Sequence, residues 1–391
     1  MKVLFINTVY GKGSTGRIIK EIGQDLTENG HDYMAAYGRG PDENDGHSYR
    51  IGGKWSVYTH ALLTRLTDRA GFYSKKATKD LVKFIEEYNP DVIHLHNLHG
   101  YYVNLEILFN YLKNDYKGKV VWTLHDCWAF TGHCVHYTYA KCDKWKTGCH
   151  HCPEKKRYPK SLLADRSKTN YLKKRKLFCG LKNLHIVAPS AWLEQQVKDS
   201  FLAEYPCRVI NNGIDLDAFS VKDVKKDKKL LINIADGLDE RKGFQDLVDL
   251  MQRLPKDYQM VMVGVKQQDL KKIPSVITPV LRTNSVAELA EYYSRAGWFI
   301  NTTYEDTFPT VNIEALACGT PVITYRSGGS PEIPDLYSGC VVESGDVEAI
   351  AKIITTHAGF RPEDCVKRAQ NYDKWDKFSQ YVQLYETLLK G

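Results

Sequence analysis

The sequence has no uninterrupted apolar run approaching the ~20 residues that a membrane-spanning helix needs. That absence excludes an integral helical membrane protein. The opening stretch, Met1 to Asn7, has an apolar core too short for a signal peptide and reads as a first strand. The chain is therefore expected to be cytoplasmic. No short internal repeat is visible, and no zinc-finger spacing or aromatic platform accompanies the basic stretch described below, so nucleic acid is not an expected partner. Disorder as a general description is also excluded, because hydrophobic residues make up 43% and charged residues 26%, the ordinary globular balance.

What is present is 391 residues, enough for two or three domains. The net charge of +7 is unevenly placed. Between Glu154 and Lys176 ten Lys or Arg stand against two acids. Such a run is usually a solvated helix face. Its functional reading is a landing site for a phosphate-bearing acceptor or an anionic membrane surface, carried by Lys155, Lys156, Arg157, Lys173, Lys174 and Arg175.

Short apolar runs alternate with helical stripes along the whole chain. Lys2 to Asn7, Asp91 to His96, Lys119 to Leu124 and Leu184 to Ala188 read as strands. Ile18, Ile19, Ile22 and Leu26 mark a helical face ending at Gly30. A second series follows, with strands at Leu230 to Ala235, Met260 to Val263, Trp298 to Asn301 and Pro321 to Thr324. Helices are expected over Phe244 to Arg253, Val286 to Arg295 and Ile313 to Ala317. Strands separated by helices of this length imply parallel βαβ units. The charged segment Val221 to Lys229 reads as a boundary, giving an α/β chain of two Rossmann-like, doubly wound domains, 1–220 and 221–391. The last helix is allowed to pack back on the first domain. Ligands of such sheets collect beyond the carboxyl ends of the strands, so the expected site is the cleft that the two domains face.

Gly11, Gly13 and Gly16 follow the first strand and open the first helix, where backbone amides can receive an anion. The acidic residue of a dinucleotide site is not where that site needs it, near Tyr37, so NAD is unsupported. A plain tight turn remains the alternative. Asp306 and Glu314 are eight positions apart, one in a loop and one on a helix framed by Pro309 and Gly319. Taken alone, the pair reads most plainly as a charge near a helix start and a surface acid; the functional reading is that both hold hydroxyl groups of one nucleotide sugar.

Glu314 through Val322, reading Glu-Ala-Leu-Ala-Cys-Gly-Thr-Pro-Val, resembles the signature of the retaining glycosyltransferases of family 4 (glycosyl transferases group 1), which have the GT-B architecture. The family places a Glu where this chain has Asp306, with Glu305 one position earlier. Asn211 to Asp215 with Phe219 resembles the family's handover between domains. Arg241-Lys242-Gly243 resembles its donor-phosphate site, where an arginine usually stands at the position of Gly237. Ser327 to Glu332 resembles its Gly-Gly loop.

The resemblance implies transfer of a sugar from a UDP- or GDP-sugar to a hydroxyl of a glycan or lipid-linked acceptor, with retention, in surface polysaccharide synthesis. It implies donor contacts from Gly13, Gly16, Arg241, Lys242, Glu305, Thr310, Val311 and Glu314. It carries sugar contact to His125, with Asp126 beside it, and catalytic roles to Asp306 and Glu314. No cofactor is implied for catalysis. A nucleotide-sugar 2-epimerase of the same fold and a catalytically silent sugar-nucleotide binder remain as alternatives.

Five of the ten cysteines fall within residues 127–152. Cys134, Cys142, Cys149 and Cys152 end in a Cys-x-x-Cys and are the candidate ligands of a structural zinc. Disulfides or reduced, unpaired thiols are the other readings. Trp128, Phe130, Tyr137, Tyr139 and Trp145 in the same loop either stack on an acceptor sugar or pack the loop.

Overall fold

The computed structural model describes residues 1–41, 43–234, 237–356 and 360–391. The chain divides into two compact units, Met1–Asn211 with Lys377–Gly391, and Asn212–Asp376. The first unit is built on β1 (Lys2–Asn7), β2 (Asp32–Tyr37), β3 (Ser48–Arg50), β4 (Val92–Leu95), β5 (Lys119–Thr123), β6 (Leu184–Ala188) and β7 (Cys207–Val209). Its helices are α1 (Gly13–Glu28), α2 (Lys54–Thr67), α3 (Lys75–Tyr88), α4 (Leu105–Asn114), α5 (Ser167–Phe178) and α6 (Ala191–Lys198). The sheet runs β3-β2-β1-β4-β5-β6-β7, with every described pair parallel.

The second unit contains β8 (Asp227–Ile234), β9 (Gln259–Val263), β10 (Ile277–Val280), β11 (Ala296–Asn301), β12 (Val322–Tyr325) and β13 (Gly339–Val342). Around them lie α7 (Phe244–Arg253), α8 (Val286–Arg295), α9 (Thr310–Ala317), α10 (Val347–Thr356) and α11 (Pro362–Ala369). The strand order is β10-β9-β8-β11-β12-β13, again parallel. Both units are doubly wound α/β sheets, the architecture expected of GT-B. Ala235, the expected end of one strand, lies outside the described residues.

Both sheets are covered on two faces, which is why their strands read as continuous apolar runs. Successive residues of β1 serve opposite cores: Leu4 and Ile6 on one face, Val3 and Phe5 on the other. The second of these faces is closed by α1 and by the final helix, α12 (Lys374–Lys390), through Phe378, Tyr381 and Tyr385. Tyr385 also reaches His94 on β4, its hydroxyl 2.6 Å from the ring Nδ1. The last helix of the sequence is thus part of the first unit's core.

Candidate active site

In the second unit the loops after β8, β11 and β12, three adjacent strands, carry the residues that the sequence singles out. Arg241 and Lys242 share one short helical turn, Glu240–Lys242, capped by the Asp239 side chain, which accepts from the Arg241 amide at 2.9 Å. The Arg241 guanidinium is gripped from two sides, by Asp239 at 2.7 Å and by the buried Glu305 at 3.3 Å. Lys242 donates to the Asp306 carboxylate and to the Glu305 carbonyl, each at 3.1 Å. The two adjacent acids after β11 therefore divide the work, one per cation.

Two glycines make this approach feasible. Gly243 has φ +70°, and a Cβ there would run into the Thr302 carbonyl. Gly328 has φ +54°, and a Cβ there would run into the carbonyl of Asp306. The Gly329 amide donates to that same carbonyl at 3.2 Å. The Gly-Gly loop is thus laid against Asp306 by backbone contact.

Glu314 occupies the first turns of α9 and takes different partners. The Tyr293 hydroxyl donates to it at 3.0 Å and the Thr310 hydroxyl at 3.3 Å. Burial, and then the Glu314 carboxylate, push the Tyr293 phenol well above its ordinary pKa, so it stays a donor. No side chain caps α9, which begins at Thr310 and Val311, and its first amides can therefore receive an anion. Close by in sequence, the buried Ser327 and Ser330 hydroxyls and Asn312 Nδ2 have no partner among the described residues. Buried polar atoms of this kind call for a ligand or ordered water.

One cation escaped the sequence reading. At Gly237, where a side chain would begin, a Cβ would lie 3.0 Å from Lys266 Nζ. The glycine leaves room for an ammonium delivered from the loop after β9. No local pattern links residues 29 positions apart, so only the fold reveals it.

In the first unit, Gly13 has φ +66° and opens α1 with space around it, while Gly16 packs near Val9 and the Gly11 amide. The Gly11 amide donates to the Gly16 carbonyl at 3.0 Å, closing a tight turn. Glu43 lies against Gly11, tied to Lys20 at 2.9 Å. An acid therefore stands at this loop as well as the expected amides.

His125 and Asp126 follow β5, and each is paired with a different histidine. His96 Nδ1 lies 2.9 Å from His125 Nε2, and His99 Nε2 lies 2.7 Å from Asp126 Oδ2. The Asp126 carboxylate is bonded to His99 and also accepts from the Trp128 amide at 2.8 Å. Burial lowers the His125 imidazole to about 4. Burial acts the other way on Asp126, but the charge and hydrogen bond of His99, with His136 and the Trp128 amide, together outweigh it and the carboxyl falls to about 2. Near neutral pH this is a neutral imidazole beside an ionised carboxylate. His94, by contrast, is wholly buried between Thr123 and Tyr385, a structural role.

In the cysteine-rich loop, Trp128, Phe130, Tyr137 and Trp145 are buried in the first unit's core, so they pack the loop. Tyr139 is half-exposed and faces the Arg157 guanidinium. Cys134 and Cys152 are hydrogen-bonded to one another, and Cys149 Sγ accepts from the Gly132 amide at 3.2 Å. Cys142 is half-buried at the edge of the same core. Among the described residues, no three His, Cys, Asp or Glu side chains are gathered in positions that hold a metal ion.

The expected basic run does not lie entirely on the surface. Lys174 is 1% exposed, with its ammonium 3.4 Å from the centre of the Trp128 ring and donating to the Trp128 and Thr131 carbonyls. Burial pushes it down to about 7. It is a core residue because α5 turns it toward the cysteine loop, and it cannot meet a partner. Lys173 pairs with Glu106 at 3.0 Å, and Arg157 with Glu154 at 3.0 Å. Lys155 is partly exposed, while Lys156 and Arg175 are exposed.

Residues 15–218 match the family model described as Glycosyltransferase Family 4, and residues 228–358 match that of the glycosyl transferases group 1. The chain belongs to this glycosyltransferase family. Among curated relatives, the glycosyltransferase is 26% identical over 381 residues to the putative colanic acid biosynthesis glycosyl transferase WcaC of Escherichia coli strain K12, covering 90% of each chain. Its fold is shared with a sucrose-phosphate synthase from Thermosynechococcus elongatus, at TM-score 0.71 and 18% identity, over 100% of this chain and 99% of that one. It is also shared with Anabaena Alr3699/HepE solved in complex with UDP and glucose, at TM-score 0.67 and 13% identity, over 99% and 100% of the two chains.

Proposed function

We propose that this glycosyltransferase moves a sugar from a nucleotide-sugar donor to a hydroxyl of a glycan or lipid-linked acceptor, with retention at the anomeric carbon. The observation that carries the donor assignment is the set of cations around β8 and β11. Arg241 and Lys242 stand in the turn after β8 and pair with the acids after β11, and Lys266, after β9, comes up beside Gly237. Such a transfer separates charge between an oxocarbenium-like sugar and a departing diphosphate. Fixed cations and amides aimed at the diphosphate are the largest single lever a protein has on that step. Guanidinium geometry suits two phosphate oxygens at once, whereas an ammonium acts as a point charge.

In this reading the acids take the hydroxyl groups. Glu305 is committed to Arg241, which leaves Asp306 and Glu314 as acceptors for ribose and sugar hydroxyls. Tyr293 and Thr310 fix the Glu314 carboxylate before the donor arrives. His125, neutral and supported by His96, serves the donor sugar as a hydrogen-bonding group. The relative named for colanic acid biosynthesis supports a polysaccharide precursor as acceptor.

The test is a product assay with UDP- and GDP-sugars and membrane glycolipid extract. A new glycoside with the donor's anomeric configuration supports the proposal. An epimerised sugar nucleotide formed without acceptor points to the epimerase, and binding without turnover points to the silent binder.

A further inference from the structure

Helix α2 carries its apolar residues on the wrong side for core packing. Val57, His60 and Thr64 face inward, while Trp55, Tyr58, Leu62 and Leu66 point out. Those four positions follow at intervals of three and four, so they form one stripe along the helix. Trp55 is 82% exposed, Tyr58 64% and Leu62 56%. Large apolar side chains in a contiguous exposed row mark an interaction surface.

A second element extends the row. The Leu162 amide donates to the Arg65 carbonyl at 2.7 Å, which fixes the loop tip beside the carboxyl end of α2. Leu162 and Leu163 are both exposed there, Leu163 to 71%. No helix among the described residues is long and apolar enough to cross a membrane, so this surface would have to dock from one side.

The charges beside the stripe name the occupant. A cavity of about 530 Å³ adjoins α2 and is lined by Arg39, Arg50, Lys54 and Arg65, with Tyr58 and Tyr101. Its described lining contains no carboxylate. Helix α2 itself has no Asp or Glu. The acids of the neighbouring loop are engaged: Glu154 by Arg157, and Asp165 by Ser167 and the Cys152 amide. A two-fold contact between copies of this face would set cations against cations, which disfavours a dimer. An apolar stripe with a cationic margin and Trp or Tyr near its edge is the pattern of a helix lying in a bilayer surface.

We propose that α2, with the Leu162–Leu163 tip, docks this glycosyltransferase on an anionic phospholipid bilayer, the cavity of Arg39, Arg50, Lys54 and Arg65 receiving lipid phosphate. The proposal deepens the reading of a lipid-linked acceptor, but vesicle binding needs neither donor nor acceptor, so the two fail separately.

The experiment is co-sedimentation with phosphatidylcholine vesicles, with and without phosphatidylglycerol, alongside Trp55 fluorescence. The expected result is binding to the anionic vesicles, a blue-shifted emission and weakening by salt. The triple variant Trp55→Ser, Leu62→Ser, Leu66→Ser should lose at least about tenfold in vesicle affinity. Its circular dichroism and nucleotide-induced thermal shift should stay unchanged, showing that it folds. The variant Arg39→Gln, Arg50→Gln should bind with a weaker preference for anionic lipid. Wild-type protein that ignores both vesicle types overturns the proposal. So does a folded triple variant that binds as wild type. A wild-type dimer that the triple variant turns into a monomer, with no vesicle binding, would assign the face to a second copy instead.

Discussion

The Lys242 ammonium and the Asp306 carboxylate form an ion pair at 3.1 Å, joining the turn after β8 to the loop after β11. Under the proposed function, a donor diphosphate reaching for Lys242 would have to compete with that carboxylate, and phosphate taking its place would free Asp306 for a hydroxyl.

Asp306→Asn is therefore expected to separate binding from turnover. Removing the competing charge should tighten the free nucleoside diphosphate by roughly twofold to fivefold, the scale of one partly exposed ion pair. Transfer should fall by at least about tenfold. Calorimetric titration and the product assay read the two effects. Weaker diphosphate binding in the variant would contradict this account of the pair.

Gly328→Ala tests the contact between the Gly-Gly loop and Asp306. The added methyl has no room beside the Asp306 carbonyl, and φ +54° is itself unfavourable for alanine. A loss of about 1–3 kcal/mol in denaturant unfolding, with weaker nucleotide binding, is expected.

The core of the cysteine-rich loop should be costly to open. Phe130 is fully buried and touches Tyr137 and Trp145, so Phe130→Ala should destabilise the fold by about 3–5 kcal/mol. Chemical denaturation measures it, and a loss below about 1 kcal/mol would mean the loop packs elsewhere.

Several buried histidines predict loss of stability in acid. Burial lowers His60 to about 3 and His125 to about 4, and it holds His94 and His96 well below their ordinary value. As the pH falls from about 6.5 toward 4, the unfolded chain takes up protons that these folded imidazoles refuse, so stability falls. His133 acts the other way. Burial lowers it, but the hydrogen bond and charge of Asp68, together with Cys152, outweigh burial and raise it, so its contribution is present below about 6.5 and is lost as pH rises. Burial lowers His185 as well, and among the described residues five groups against one give a net decrease, so the urea midpoint at pH 5 should lie below that at pH 7.

Much of this fold was legible because its central strands are buried on both faces and read as apolar runs. The strands that sequence did not reveal are β2 and the four sheet edges, β3, β7, β10 and β13. The edges have only three or four residues each and are largely half-exposed, so none offers an apolar run to read. β2 is mostly buried but reads Asp-Tyr-Met-Ala-Ala-Tyr, with no β-branched residue to mark it as a strand. Within the candidate site, Arg241, Lys242 and Glu314 were visible because a contiguous motif carries them. Lys266 and Tyr293 were not, and nor was the pairing of His96 and His99 with His125 and Asp126, because the sheet brings these residues together from distant segments. Lys174 was misplaced for a related reason: a run of lysines predicts solvent, and only the packing of α5 on Trp128 shows that one of them turns inward.

The most direct test of the donor site is a thermal-shift panel with UDP, GDP, ADP and their sugar conjugates, run on wild type and on Arg241→Ala, Lys242→Ala. A ligand at 100 times its dissociation constant adds about 2.7 kcal/mol of stability. The account predicts that one nucleotide raises the wild-type melting temperature and that the double variant, folded but lacking both cations, loses that shift. A flat panel for wild type, or a shift that survives in the double variant, would contradict the placement of the donor on the second unit.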